Sequence, residues 1–93
     1  MKYIIERTSQ FKKDFKQVKS RGCDLNELKA VIRILANGDD LPKSNKDHAL
    51  NTSKNYKGMR ECHIRPDWLL DYSINKTILI LRLIRTGSHS DIF

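Results

Sequence analysis

The sequence predicts an α+β domain in which a strand and a two-helix hairpin precede an antiparallel meander. Three observations predict it: a short β-branched and aromatic run at the start, an apolar period near 3.6 over the next third of the chain, and three strand-like runs with tight turn signals at the end. Residues 2–6, with Tyr3, Ile4 and Ile5 in succession, read as a strand leading into the cap residues Thr8 and Ser9. From Ser9 to Lys19, Phe11, Phe15 and Val18 recur at helical spacing with lysines on the other side, and Gly22 ends the helix. A second helix starts near Asp24, where Asp24 and Glu27 have capping-box spacing; Leu28, Val31, Ile32 and Leu35 form its stripe, and Asn37-Gly38 stops it.

Residues 39–57 carry few apolar anchors and read as a long surface loop interrupted near Ala49 and Leu50, the kind of segment that often carries function. Strands are expected over Gly58–Arg65, Trp68–Ile74 and Thr77–Arg85, all pairing antiparallel. Pro66-Asp67 makes the first join and Asn75-Lys76 a two-residue hairpin loop. The last run, nearly all β-branched or leucine, reads as a central strand covered on both faces. No repeat, linker or low-complexity segment divides residues 1–93, so one domain is expected.

Charge and composition narrow the function classes. Eighteen Lys and Arg against 11 acidic residues leave a net charge of +7, a surface suited to polyanions or to an acidic protein. The first residues lack the apolar core and cleavage site of a secretory signal, and no apolar run is long enough to span a bilayer, so a cytoplasmic protein without a membrane partner is expected. Cys23 and Cys62 have no CxxC spacing and read as neutral thiols, neither a disulfide nor a zinc finger.

The chemistry gathers in the second half, which holds His48, His63 and His89, each in a loop or beside a strand end. Cleaving RNA through its own 2′-hydroxyl needs a base for that proton, an acid for the departing 5′ oxygen and cations for the phosphate charge. Imidazole serves either proton role near neutral pH. Asp67 follows His63 by four residues across the Pro66 turn, and Arg85 offers a planar fork of donors to a phosphate. Trp68 and Phe93 offer faces for base stacking. Trp68 also shares strand parity with Leu70, Tyr72 and Ile74, and from the residues alone it reads first as core, with stacking as the alternative. Asp67 has a competing role as a turn former, and the lysine-rich face from Lys12 to Lys19 reads first as a solvated surface.

The segments Lys46-Asp-His48-Ala-Leu, Lys57-Gly-Met-Arg-Glu-Cys-His63-Ile-Arg-Pro-Asp67-Trp68 and Arg85-Thr-Gly-Ser-His89-Ser-Asp-Ile-Phe93 resemble the YafQ-type branch of the RelE/ParE toxin superfamily over nearly the whole chain. The resemblance implies a RelE-like fold of the microbial RNase T1 type, the toxin role in a bacterial toxin–antitoxin pair, and ribosome-dependent cleavage of messenger RNA without a metal or cofactor. It implies catalytic or substrate-contacting roles for His48, His63, Asp67, Trp68, Arg85, His89 and Phe93, and Lys46, Lys57 and Arg60 in the same motifs join as substrate-binding cations. It also implies an acidic antitoxin over the basic cleft, and operator DNA bound through the complex. Two departures stand out: the Asn51–Tyr56 segment is longer than usual in such toxins, and Asp71 occupies a strand position where they usually carry an aliphatic residue.

Two rivals remain at this stage. A metal-dependent nuclease would use His48, His63, Asp67 and His89 as ligands, but these lack the close local pairing typical of zinc sites. A ParE-like inhibitor of DNA gyrase would need no acid–base groups, and the histidines argue against it.

Overall fold

The computed structural model describes residues 1–50 and 58–93. The elements run β1 (Ile4–Arg7), α1 (Ser9–Ser20), α2 (Leu25–Ala36), a 3₁₀ turn (Lys43–Asn45), β2 (His48–Leu50), β3 (Met59–Arg65), β4 (Trp68–Asn75), β5 (Ile80–Gly87) and α3 (His89–Ile92). The strands form one sheet in the order β1-β5-β4-β3-β2. The meander is antiparallel as expected, and β1 adds parallel to β5, a pairing that only a long crossover containing α1 and α2 permits.

Each helix starts where its cap predicts. The Thr8 hydroxyl accepts from the Phe11 N–H at 3.0 Å, and the Asp24 carboxylate accepts from the Asn26 N–H at 3.0 Å. The anticipated capping box on α2 does not form, because the Glu27 carboxylate is taken by the Arg65 guanidinium of β3. Phe11 and Val18 on α1 and Leu28, Val31 and Leu35 on α2 are buried against Cys62, Leu70, Tyr72, Leu81 and Leu83 of the sheet. Burial pushes the Cys62 thiol up to about 12, and both cysteines are free.

Three further expectations change. The segment read as a loop contains β2, whose residues pair with Met59 to Glu61 of β3. The last strand begins at Ile80 and not at Thr77, because the Asn75 side chain accepts from the N–H groups of Thr77 and Ile78 at 3.0 and 3.1 Å and Leu79 turns with φ 56°. A longer turn replaces the two-residue loop. Although β5 is interior to the sheet, Leu81 and Leu83 are buried while Arg82 is exposed, so this stretch is covered on one face and not on both. Among the described residues, no helix is long and apolar enough to cross a membrane.

Since Leu28 is fully buried at the centre of the helix–sheet contact, Leu28→Ala is expected to lower stability by about 2–5 kcal/mol, read as a fall in the urea midpoint at unchanged slope.

Candidate active site

Strand register assembles the candidate site. Antiparallel partners project to the same face of a sheet, and three successive pairings put His48 opposite Glu61, Glu61 opposite Asp71, and Asp71 opposite Arg85. A second row places His63 opposite Leu69 and Leu69 opposite Gly87. Two residues outward from that last pair along each strand stand Asp67 and His89, which meet for that reason. Arg85 reaches its position through a bulge. Leu81 and Leu83 face the core, an irregularity follows at Tyr72 and Asp71, and after it Thr86 is the buried residue while Arg85 lies opposite Asp71.

The three imidazoles form a row, with ring centroids 6.3 Å apart from His48 to His63 and 5.8 Å from His63 to His89. Each is anchored through Nδ1. His48 Nδ1 lies 2.7 Å from the Lys46 carbonyl and His63 Nδ1 lies 3.3 Å from the Pro66 carbonyl. A carbonyl only accepts, so these nitrogens carry the hydrogen and donate it, which leaves Nε2 as the basic nitrogen of the neutral ring. His89 Nδ1 is 2.6 Å from Asp67 Oδ1, and the His89 backbone N–H donates to the same oxygen at 2.9 Å. The backbone bond, together with that from the ring, holds the Asp67 carboxyl below its usual range. Ionised Asp67 thus orients the His89 ring through Nδ1.

The ends of the row are fixed by local chemistry. Lys46 turns left-handed with φ 48° after the 3₁₀ turn, and Asp47 then accepts from Arg60 at 3.0 Å and from the Tyr72 hydroxyl at 2.5 Å, locking the residue before His48. At the other end, Ser88 caps α3 in a capping box with Asp91, and Arg21, the residue that ends α1, grips Asp91 at 2.5 and 3.0 Å. The Arg21 guanidinium, with the Ser88 N–H, keeps the Asp91 carboxyl well below the ordinary carboxylate range. Gly87 has φ 153°, and a Cβ there would sit 2.7 Å from Asp91 Oδ2.

The family profile described as "Bacterial toxin of type II toxin-antitoxin system, YafQ" matches residues 3–93. The chain belongs to the YafQ family of type II toxins. It is 42% identical over 90 residues to the mRNA interferase toxin YafQ of Escherichia coli strain B / BL21-DE3, covering 96% of this chain and 94% of the relative. Among solved structures, YafQ in the Escherichia coli DinJ-YafQ complex matches with a TM-score of 0.88 at 40% identity over 98% of each chain. A metal-bound toxin from Helicobacter pylori matches with a TM-score of 0.90 at 42% identity over 98% and 99%. The α+β, RelE-like fold that the resemblance implied is the fold of these YafQ structures.

Within this YafQ-family chain the structure brings His48, His63, Asp67 and His89 into one cluster and places Arg85 on the adjoining row. The Arg85 guanidinium also binds buried Asp14 of α1, at 3.1 and 3.2 Å. Lys46 and His63 line a common 230 Å³ cavity. Phe93 is exposed and its N–H donates to the His89 carbonyl, which sets it next to the row. Two expectations are corrected. Trp68 is a core residue, 6% exposed with its indole N–H donating to Thr86 Oγ1 at 3.0 Å, so no ring face is available for stacking a base. Arg60 alternates away from Glu61 and His63 along β3 and pairs with Asp47, so it braces the entry to β2 and stands apart from the histidine row. Lys57 lies outside the described residues.

Sequence reasoning missed Glu61, Asp14 and Asp47. Signals for two of them existed: Glu61 shares strand parity with His63, and Asp14 falls on the buried stripe between Phe11 and Val18. Among the described residues, no group of three or more His, Cys, Asp or Glu is arranged to hold a metal ion.

Gly87→Ala drives a side chain into Asp91 in a strained backbone region, and a loss of about 1–3 kcal/mol in denaturant unfolding is expected. Because the folded Asp91 carboxyl titrates below its unfolded value, its contribution is present above about pH 4 and lost as pH falls further. Asp91→Asn is accordingly expected to lower the Tm at pH 7, and the gap from wild type should narrow between pH 4 and pH 2.

Proposed function

We propose that this YafQ-family toxin is an mRNA endoribonuclease that cuts by acid–base chemistry at the histidine row. The observation that carries the reading is the shared Nδ1 anchoring of the three rings, which leaves three Nε2 atoms for proton transfer within one stretch of sheet. Curated relatives named mRNA interferase toxins support it, and on the same ground the gyrase-inhibitor alternative is not favoured.

His48 Nε2 removes the proton from the 2′-hydroxyl, and the resulting imidazolium faces the Glu61 carboxyl 3.7 Å away. The 2′ oxygen attacks phosphorus as the bond to the 5′ oxygen breaks. His89, oriented by Asp67, gives its Nε2 proton to that leaving oxygen. His63 lies between the two and, with Arg85, stabilises the charge on the phosphorane oxygens. The products are a 2′,3′-cyclic phosphate and a 5′-hydroxyl. Asp67 was expected to help prepare the 2′-hydroxyl; its contact with His89 supports the orienting role instead.

The substrate is messenger RNA on the ribosome, and exposed Phe93 offers the aromatic surface that Trp68 does not. A net charge of +7 suits an acidic antitoxin laid over the site; the relative in the DinJ-YafQ structure is a toxin in complex with its antitoxin. Operator DNA would be bound through such a complex.

In a translation reaction with purified ribosomes, His89→Ala is expected to slow cleavage on the order of a hundredfold or more, and a 2′-deoxy nucleotide at the cut site should abolish it. Wild-type rates in the variant, or cutting of the deoxy substrate, would exclude the mechanism.

A further inference from the structure

Asp71 lies under the site, yet no step described so far uses it. It is fully buried in β4, and among the described residues neither of its carboxyl oxygens has a hydrogen-bond donor. Its cross-strand partner Glu61 is 4% exposed, with Oε2 likewise buried and without a donor, while Oε1 faces His48 Nε2 at 3.7 Å. Arg85 stands opposite Asp71 on β5, but its Nε and one terminal nitrogen are turned to Asp14 of α1.

Two ionised carboxylates in this position would leave three acceptor oxygens out of water with nothing to bond, an arrangement costing several kcal/mol per ion. One proton held between the two carboxyls removes the difficulty. A neutral carboxylic acid donates its O–H, and the facing carboxylate accepts. We propose that Asp71 is a positioning residue: it shares a proton with Glu61 across the β3–β4 pair and so keeps the Glu61 carboxylate directed at the His48 imidazole. Asp71 acts on His48 only through Glu61, and this extends the reading above in which His48 is the base.

The surroundings decide which carboxyl keeps the proton. The groups around Asp71 are Glu61 and Cys62 from β3, Arg85 from β5 and Asp14 from α1. Burial first, and then the bond and charge of Glu61, raise the Asp71 carboxyl far above the ordinary carboxylate range, and Arg85 offsets only part of this. Glu61 turns Oε1 to the imidazole of His48 at 3.7 Å, where a carboxylate accepts. Asp71 is thus the donor and Glu61 the acceptor.

The wild-type protein tests this first, by following the side-chain carboxyl ¹³C resonances of Asp71 and Glu61 with pH. The proposal expects the pair to retain one proton above pH 6; both carboxyls titrating fully below pH 5 would overturn it. The His48 ring is then titrated by NMR in three variants. Asp71→Asn keeps an N–H donor toward Glu61 and should leave the His48 midpoint in place. Asp71→Leu removes the donor, and Glu61→Gln removes the charge. Both should lower the His48 midpoint by about half a unit or more, a threefold change in proton affinity. An unmoved midpoint in Asp71→Leu while Glu61→Gln shifts it would also overturn the proposal. A purely structural role for Asp71 predicts a change in stability with no change in that midpoint. If the midpoint moves as stated but the pH profile of cleavage does not follow, the positioning role stands and His48 is not the base.

Discussion

Everything at this site depends on strand register. His48, Glu61, Asp71 and Arg85 come from four strands, and only their cross-strand pairing sets them in one line. A slip of one residue between β3 and β4 would send Glu61 and His63 to the core face and bring Cys62 out. Two irregularities, one between His63 and Arg65 and one at Asp71 and Tyr72, are part of the arrangement. The first adjoins the Pro66-Asp67 turn, from which Asp67 meets His89. The second brings Arg85 to the site row while keeping Thr86 under the Trp68 indole.

A chain of net charge +7 places its acids with economy. Asp14 and Asp91 hold the arginines of the α1–β5 and α1–α3 contacts, Asp47 ties the β2 entry to Arg60 and Tyr72, and Asp67 orients His89. The acids thus anchor the ionisable groups of the row from beneath and from its ends, while the rings of His48 and His89 stay about half exposed. That division suits a site that must receive a polyanion: negative charge near the substrate surface is matched by a cation or withdrawn from water. Buried pairing of this kind adds little net stability, and its value lies in where it holds the side chains.

The helices, the meander, and the residues His48, His63, Asp67, Arg85 and His89 were legible because each rests on a local signal: a cap, a period, a turn residue, or a titratable group beside a strand end. Trp68 was ambiguous from the chain alone. Strand parity reads it first as core while the neighbouring motif reads it as a stacking surface, and its indole bond to Thr86, 18 positions away, holds it in the core. Arg60 misled because alternation along β3 was not applied to it. Thr77 to Leu79 are apolar or β-branched enough for a strand, yet the Asn75 side chain captures their backbone N–H groups first, so a side-chain cap outcompetes strand propensity.

From the sequence alone come the α+β class, the order of the elements, the basic surface and the set of groups available for proton transfer, since all of these follow from periodicity and residue chemistry within short windows. The tertiary structure decided which acid serves which base, and that Asp71 and Glu61 face each other out of water. Those properties belong to pairs of residues 10 to 71 positions apart in the chain. No local window contains both partners, so only the closed sheet could determine them.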